Sequence, residues 1–315
     1  MKIGPASVRL GAPIYYRSLR ALGVTAMKRR GDAGSILCYH NVVRGDDGGV
    51  GDPGLHVSLE RFEKQMRWVA AHYTVVSLGE FVDKLSVGAS LRSVAAITFD
   101  DGYAGVFDHA VPILRMLGLP ATIFLVAGAV GRSAGFWWDQ AEIVESATPG
   151  RRHTWLNELR GDDDAILRRA APAADRTLPA SHRPADWHTI RTSLGRGIDI
   201  GVHSVTHRSL PTLTDAELED EVVASRAIVR RATGIVPECF AYPYGLWDSR
   251  VRALVRAAGY RAGVTLDSGL NGAFADPWAL RRINVPARIS DAAFEAWTAG
   301  LHGLPAFTSG ARDAQ

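Results

Sequence analysis

Short apolar runs recur along this chain, separated by stretches in which apolar residues return every three or four positions. The segments 35–40, 94–103, 121–126, 198–207, 238–245 and 279–286 each carry such a run. Apolar runs this short predict buried strands. Between them, Phe62, Met66 and Val69 share one helical face behind Ser58, which stands at an N-cap position. A short strand at 75–78 leads into a helix ending near Leu85, and 106–117 reads as a helix despite Pro112, closed by Gly118. Residues 187–194 form another helix, and Thr214 with Glu217 makes a capping box that opens a helix running to Thr233. Strand and helix alternating in this way is the signature of parallel βα units.

The chain has 315 residues, 47% of them hydrophobic, enough to bury one full core. A single catalytic domain over 35–303 is the economical division. Residues 1–34 read as a basic N-terminal extension, 140–185 as an irregular, solvated insertion around Asp162, Asp163 and Asp164, and 304–315 as a flexible tail. The first 31 residues contain no Asp or Glu, and Lys2, Arg9, Arg17, Arg20, Lys28, Arg29 and Arg30 interrupt every apolar run. No conventional signal peptide or transmembrane helix is therefore expected, which makes the cytoplasm or the cytoplasmic membrane face the default location. A basic, partly amphipathic segment of this kind also suits peripheral contact with an anionic membrane through residues 1–31. The net charge of +3 is mild, and no nucleic-acid partner is expected. Two cysteines, Cys38 and Cys239, are too few for a disulfide framework and are expected as buried thiols.

Chemistry concentrates at two strand ends. Asp100, Asp101 and Gly102 follow the run 94–99, at the edge where α/β proteins bind ligands. Two adjacent carboxylates in a small dry site raise each other's pKa, and a cation would resolve the conflict. About a hundred residues later, His203 and His207 follow the run 198–202, four apart, so that one helical turn would put both imidazoles on one face. One carboxylate and two histidines form a donor set suited to Zn²⁺ or a similar divalent ion, leaving the other Asp free to act as a base.

Thr98-Phe99-Asp100-Asp101-Gly102 followed by His203-Ser204-Val205-Thr206-His207 resembles the first two motifs of the polysaccharide deacetylase (NodB-homology) family. The resemblance spans roughly 35–286. It implies a distorted, incomplete (β/α) barrel and a metal-dependent hydrolase that removes acetyl groups from amino sugars of a glycan. It also implies Asp100 as general base and Asp101, His203 and His207 as ligands of a divalent metal, Zn²⁺ first, with Co²⁺ or Ni²⁺ as alternatives. Ala241-Tyr242-Pro243-Tyr244-Gly245 resembles the third motif, in which Tyr244 would lend its backbone N–H to the oxyanion. The sequence departs from the family here, because Ala241 occupies the position of an Arg that pairs with the base. The subgroup acting on poly-N-acetylglucosamine shows a similar departure, with an aromatic at the Tyr242 position.

Several further residues are candidates around the site. His40 ends the first strand, Arg282 is a replacement for the missing Arg, and strand alternation turns only one of Arg281 and Arg282 inward. Asp267 follows an apolar run, and His302, in Leu301-His302-Gly303, is the late candidate for the general acid. Trp138 and Asp139, expected on a loop over the barrel mouth, and Tyr242 and Pro243, as a groove wall, are candidates for holding the acetylated glycan. Two other functions fit the same motifs: an amidohydrolase of small molecules, and a carbohydrate-binding protein without activity.

Overall fold

The computed structural model describes residues 5–170 and 178–302. Its strands in chain order are β1 (Ser35–Tyr39), β2 (Asn41–Val43), β3 (His56–Ser58), β4 (Thr74–Val75), β5 (Val94–Phe99), β6 (Ala121–Leu125), β7 (Ile198–Val202), β8 (Cys239–Ala241), β9 (Ala262–Ser268) and β10 (Leu280–Asn284). All pairings between these strands are parallel, as the alternating pattern requires. The order β1-β10-β9-β8-β7-β6-β5 returns to β1, because β1 pairs with β10 on one side and with β5 on the other. The barrel is thus a closed ring of seven strands, one short of eight, with β4 added against Val94 and Ala95 and a separate β2–β3 pair beside it.

Alternation along the strands divides the core in two. Ile36, Ala96, Phe124, Cys239, Ala241, Val264 and Leu280 pack together with Phe81, Val82 and Leu85 of the helix Leu78–Ser86. Leu37, Ile97, Ile123, Ile200 and Ile283 belong to the larger cluster under the surrounding helices. Residues two apart on a strand point the same way, so the interior is one set of alternate positions and the helix-facing layer the other. Both cysteines are free and buried.

The local signals act where expected. Ser58 accepts a hydrogen bond from Arg61 N–H at the start of the helix Leu59–His72, and Thr214 with Glu217 forms the capping box. Gly118, with φ 65°, ends the helix Val111–Leu117. The expected strand at 75–78 is shorter and earlier, because Ser77 serves as the N-cap of the next helix and cannot also extend the strand.

Two stretches outside the barrel strands are packed against the rest of the chain. The N-terminal segment forms the helices Pro5–Ala21 and Val24–Arg29 and is docked: Ala12 and Tyr16 are buried, Trp297 Nε1 donates to Tyr16 Oη at 2.9 Å, and Arg20 pairs with Glu295 at 3.3 Å. The stretch 140–185 is not a solvated insertion over its described part, since the helices Ala141–Ser146 and Asp163–Ala170 bury Ile143, Ile166 and Leu167, and the helical turn Thr154–Glu158 buries Trp155 and Leu156. The acidic triplet is used locally: Asp162 caps Ala165 N–H, and Asp163 accepts from Trp137 N–H and pairs with Arg132. The expected tail from Leu304 lies outside the described residues. None of the described helices is long and apolar enough to cross a membrane.

Candidate metal and catalytic site

The C-terminal ends of β1, β5, β7 and β8 meet on one side of the ring and carry His40, the Asp100–Asp101 pair, His203 and the turn at Tyr244. Four of the seven non-glycine residues with positive φ among the described residues are Asp101, Ser204, His207 and Tyr244. Left-handed backbone at such positions is costly and persists where the surroundings enforce it. Gly102 follows with φ 71° and lies so close to Leu125 that an added Cβ would come within 2.8 Å of its side chain. Gly is therefore required for the turn that swings Asp101 inward.

His203 and His207 do converge, but not on a helical turn. Residues 203–207 form a loop bent at Ser204 and His207, in which Ser204 Oγ accepts from His207 N–H at 2.9 Å. The buried Glu221 holds this loop, accepting from the N–H groups of Val205 and Thr206, each at 2.9 Å, and from the Thr206 hydroxyl. Its role had no sequence signal, because Glu221 lies on the polar pattern of a helix and acquires its partners only through tertiary packing.

The donor set suits a divalent cation. His203 Nδ1 lies 2.7 Å from the Ala241 carbonyl, which can only accept, so the proton sits on Nδ1 and the Nε2 lone pair faces the site. His207 Nε2 lies 3.0 Å from His203 Nε2, and Asp101 Oδ1 lies 3.4 Å from the former and 3.6 Å from the latter. Ligand atoms about 2.0–2.1 Å from a tetrahedral centre are roughly 3.3 Å apart, close to these three separations. Asp101 Oδ1 and His207 Nδ1 are buried without hydrogen-bond partners. Burial raises the Asp101 pKa, reinforced by the charges of Asp100 and Asp139. Both imidazoles are held neutral, mainly by burial. A buried carboxylate facing two neutral imidazoles is the arrangement a cation resolves.

Asp100 is in the opposite state. Burial works against its charge, but the Arg282 guanidinium outweighs it and keeps the carboxyl well below the usual carboxylate range. Arg282 Nη1 and Nη2 donate to the two Asp100 oxygens at 2.7 and 2.6 Å, and its Nε donates to the Thr265 carbonyl at 2.7 Å. On β10, Arg281 is exposed and Arg282 fully buried, so Arg282 is the one facing the interior. His40 is also at the site: a His40 ring nitrogen, Cys38 Sγ and an Asp100 oxygen lie within 4.8 Å of one another. Burial lowers the His40 pKa to about 4, partly opposed by Asp100.

Tyr244 lies in the turn Pro243–Gly245 with φ 58°; Gly245 and Leu246 supply the N–H groups that close the turn. Its ring packs edge-on to His207 at 4.4 Å, and its hydroxyl accepts from Trp137 Nε1 at 3.2 Å. Trp138 forms the adjoining wall, 4.7 Å from the His207 ring, with its indole N–H taken by Tyr103 Oη at 2.7 Å.

Other candidates are placed elsewhere. Asp139 is buried, with Oδ1 accepting from Asp52 N–H and His56 Nε2 and Oδ2 from Tyr103 Oη. Tyr242 points away from the site because alternation on β8 turns Ala241 inward; its hydroxyl donates to the Trp278 carbonyl, and Pro243 is buried beside it. Asp267 is exposed and accepts from Trp247 Nε1. His302 packs on Trp297, the indole bound to Tyr16.

Comparison with known proteins adds kinship to this geometry. The family profile described as polysaccharide deacetylase matches residues 88–263. The chain is 23% identical over 264 residues to the putative polysaccharide deacetylase YxkH of Bacillus subtilis, covering 83% of this chain and 75% of that one. It is 22% identical over 240 residues to the poly-beta-1,6-N-acetyl-D-glucosamine N-deacetylase of Staphylococcus aureus, covering 76% and 69%. The solved structure of IcaB from Ammonifex degensii shares the fold with a TM-score of 0.60 at 19% identity, over 86% of this chain and 99% of that one.

Proposed function

The chain belongs to the polysaccharide deacetylase family, and from that premise we propose how this carbohydrate deacetylase hydrolyses the acetamido C–N bond of an N-acetylated amino sugar within a glycan. The observation that carries the residue assignment is the meeting of Asp101, His203 and His207 beside a second carboxylate, Asp100, clamped by Arg282.

Asp101 Oδ1 and the Nε2 atoms of His203 and His207 would hold a divalent metal, for which Zn²⁺ is the best match and Co²⁺ or Ni²⁺ are alternatives. When bound, such an ion acidifies water and polarises the acetyl carbonyl. Asp100, kept ionised by Arg282, accepts the proton of the attacking water. The Tyr244 N–H donates to the oxyanion, a contribution of about 3 kcal/mol to the barrier. His40 replaces His302 as the imidazole that carries the proton to the departing amine, because it is neutral at rest and adjacent to Asp100. Trp138 offers its ring to the sugar, its N–H being committed to Tyr103.

Poly-β-1,6-N-acetylglucosamine is the first polymer to test, on the third motif and the named activity of the Staphylococcus aureus relative. The test is acetate release from a panel of acetylated glycans by metal-stripped protein reloaded with Zn²⁺, Co²⁺, Ni²⁺ or Mg²⁺. Release that depends on the reloaded ion supports the reading; none from any glycan with any ion overturns it.

Peripheral membrane contact belongs to the same proposal. Ile14, Leu22 and Met27 are 66%, 77% and 64% exposed beside the exposed Arg17, Lys28 and Arg30. Sedimentation with anionic but not neutral liposomes supports it, and equal behaviour with both removes it.

A further inference from the structure

Acetyl hydrolysis gives Cys38 no task, although its thiol stands against the base. Cys38 is fully buried late in β1, and its Sγ lies 3.5 Å from Asp100 Oδ2. Burial pushes the thiol well above its usual range, so it is protonated and donates to the carboxylate. A thiol held in that form is a poor nucleophile. As a metal ligand it is well placed.

A His40 ring nitrogen, Cys38 Sγ and an Asp100 oxygen lie within 4.8 Å of one another, and the one other such group among the described residues is Asp101, His203 and His207. A sulfur about 2.3 Å and an oxygen about 2.1 Å from a tetrahedral centre are roughly 3.6 Å apart, close to the separation of Cys38 Sγ and Asp100 Oδ2. His40 is neutral at rest and only partly buried, so it offers both a lone pair and a way in. Each carboxylate oxygen has two lone pairs, so Asp100 Oδ2 can ligate an ion and still accept from Arg282 Nη2. Thiolate, imidazole and carboxylate together suit Zn²⁺ or Cd²⁺ and not Mg²⁺. An ion here is repelled by the Arg282 guanidinium and by any ion held on Asp101, so this set fills second.

We propose that Cys38, His40 and Asp100 form a second, inhibitory site for a thiophilic divalent cation. Binding exchanges the thiol proton, which leaves to water, for a metal–sulfur bond. The ion takes the lone pairs with which Asp100 and His40 move protons, so a first equivalent of metal starts the enzyme and a second stops it. The inhibition rests on the deacetylase reading above, whereas the binding of the second ion does not.

The test titrates the metal-stripped full chain with Zn²⁺ and with Cd²⁺, for wild type, Cys38→Ser and Cys239→Ala. It reads the equivalents bound, the ultraviolet thiolate–Cd²⁺ absorption, and acetate release from N-acetylglucosamine oligomers. Wild type should bind two equivalents, with the absorption growing over the second. Its rate should then fall by about tenfold or more from the value at one equivalent, since proton transfer by positioned groups is worth about 10²–10⁴-fold. In Cys38→Ser the absorption should vanish, and half-inhibition, taken relative to that variant's own rate at one equivalent, should need roughly tenfold more metal or beyond. Cys239→Ala keeps Cys38 as its one thiol and should absorb as wild type does, which reads the site without disturbing it. A single equivalent in wild type, or a second equivalent and inhibition that survive Cys38→Ser, overturns the site. Two equivalents with an undiminished rate overturn the inhibition. Thiolate absorption without acetate at either stoichiometry upholds the site and removes the inhibition together with the deacetylase reading.

Discussion

Both oxygens of Asp100 accept hydrogen bonds from Arg282, at 2.7 and 2.6 Å, and neither side chain reaches solvent. The pair spans β5 and β10 across the barrel interior. Ala241, inward-facing on β8, leaves no cation at the family's usual place, so the charge that holds Asp100 ionised comes from a different strand.

Arg282→Met strands a buried carboxylate and should destabilise the fold by about 3–5 kcal/mol in denaturant titration. Asp100 has a depressed folded pKa, so its contribution to stability is present above the ordinary carboxylate range and lost as pH falls through the lower folded value. In the variant that pKa rises, and the acid limb of the pH–rate profile should move to higher pH.

Asp101→Asn and His203→Ala should lose both bound metal and acetate release. Asp100→Asn should lose acetate release and keep its metal. Elemental analysis of the dialysed proteins beside an acetate assay separates the roles; near-wild-type turnover in Asp100→Asn would refute its assignment as base.

Glu221→Ala leaves the Val205 and Thr206 N–H groups without their acceptor while touching no ligand atom. Loss of such a supporting carboxylate should lower metal affinity by roughly 10–100-fold, measured by competition with a chromogenic chelator. An unchanged affinity would mean the loop is held by its own turns.

Tyr103→Phe removes the hydroxyl that donates to Asp139 and accepts from the Trp138 indole. Each buried partner left unsatisfied should cost about 1–3 kcal/mol. Near-UV circular dichroism should register a looser Trp138, and KM for oligosaccharide should rise more than kcat falls.

Desolvation of the partly buried His40 ring lowers its pKa to about 4 in the folded protein. Its unfolded value is near 6.5, so between these two pH values the unfolded chain binds a proton that the folded one refuses. Stability should therefore fall as pH drops through that window, and His40→Gln should flatten the slope. The same variant should lower kcat by about 10²–10⁴-fold if His40 carries the proton.

Much of this arrangement is legible in the chain because short strands buried on both faces announce themselves as continuous apolar runs, and chemistry follows their C-terminal ends. Asp100, Asp101, His203 and His207 are readable for that reason. The geometry that joins them is not, since a four-residue spacing fits a helix as well as the loop that Glu221 folds. Asp139 and Tyr242 mislead in the same way: a polar or aromatic residue near a motif looks available until its partners, here His56 with Tyr103 and the Trp278 carbonyl, are known. His302 follows a family pattern by position alone, whereas the chain route carries it to Trp297.

Closure of the ring through β1 and β10 also sets an order of events during synthesis. β1 emerges from the ribosome early, yet one of its edges waits for residues 280–284 before it finds a partner. Until then an apolar, parallel-pairing edge is exposed, the situation in which nascent chains attract chaperones or one another. Folding of the whole ring is thereby coupled to arrival of the strand that delivers Arg282, so a chain cut short before that strand has neither a closed barrel nor the guanidinium that pairs with Asp100.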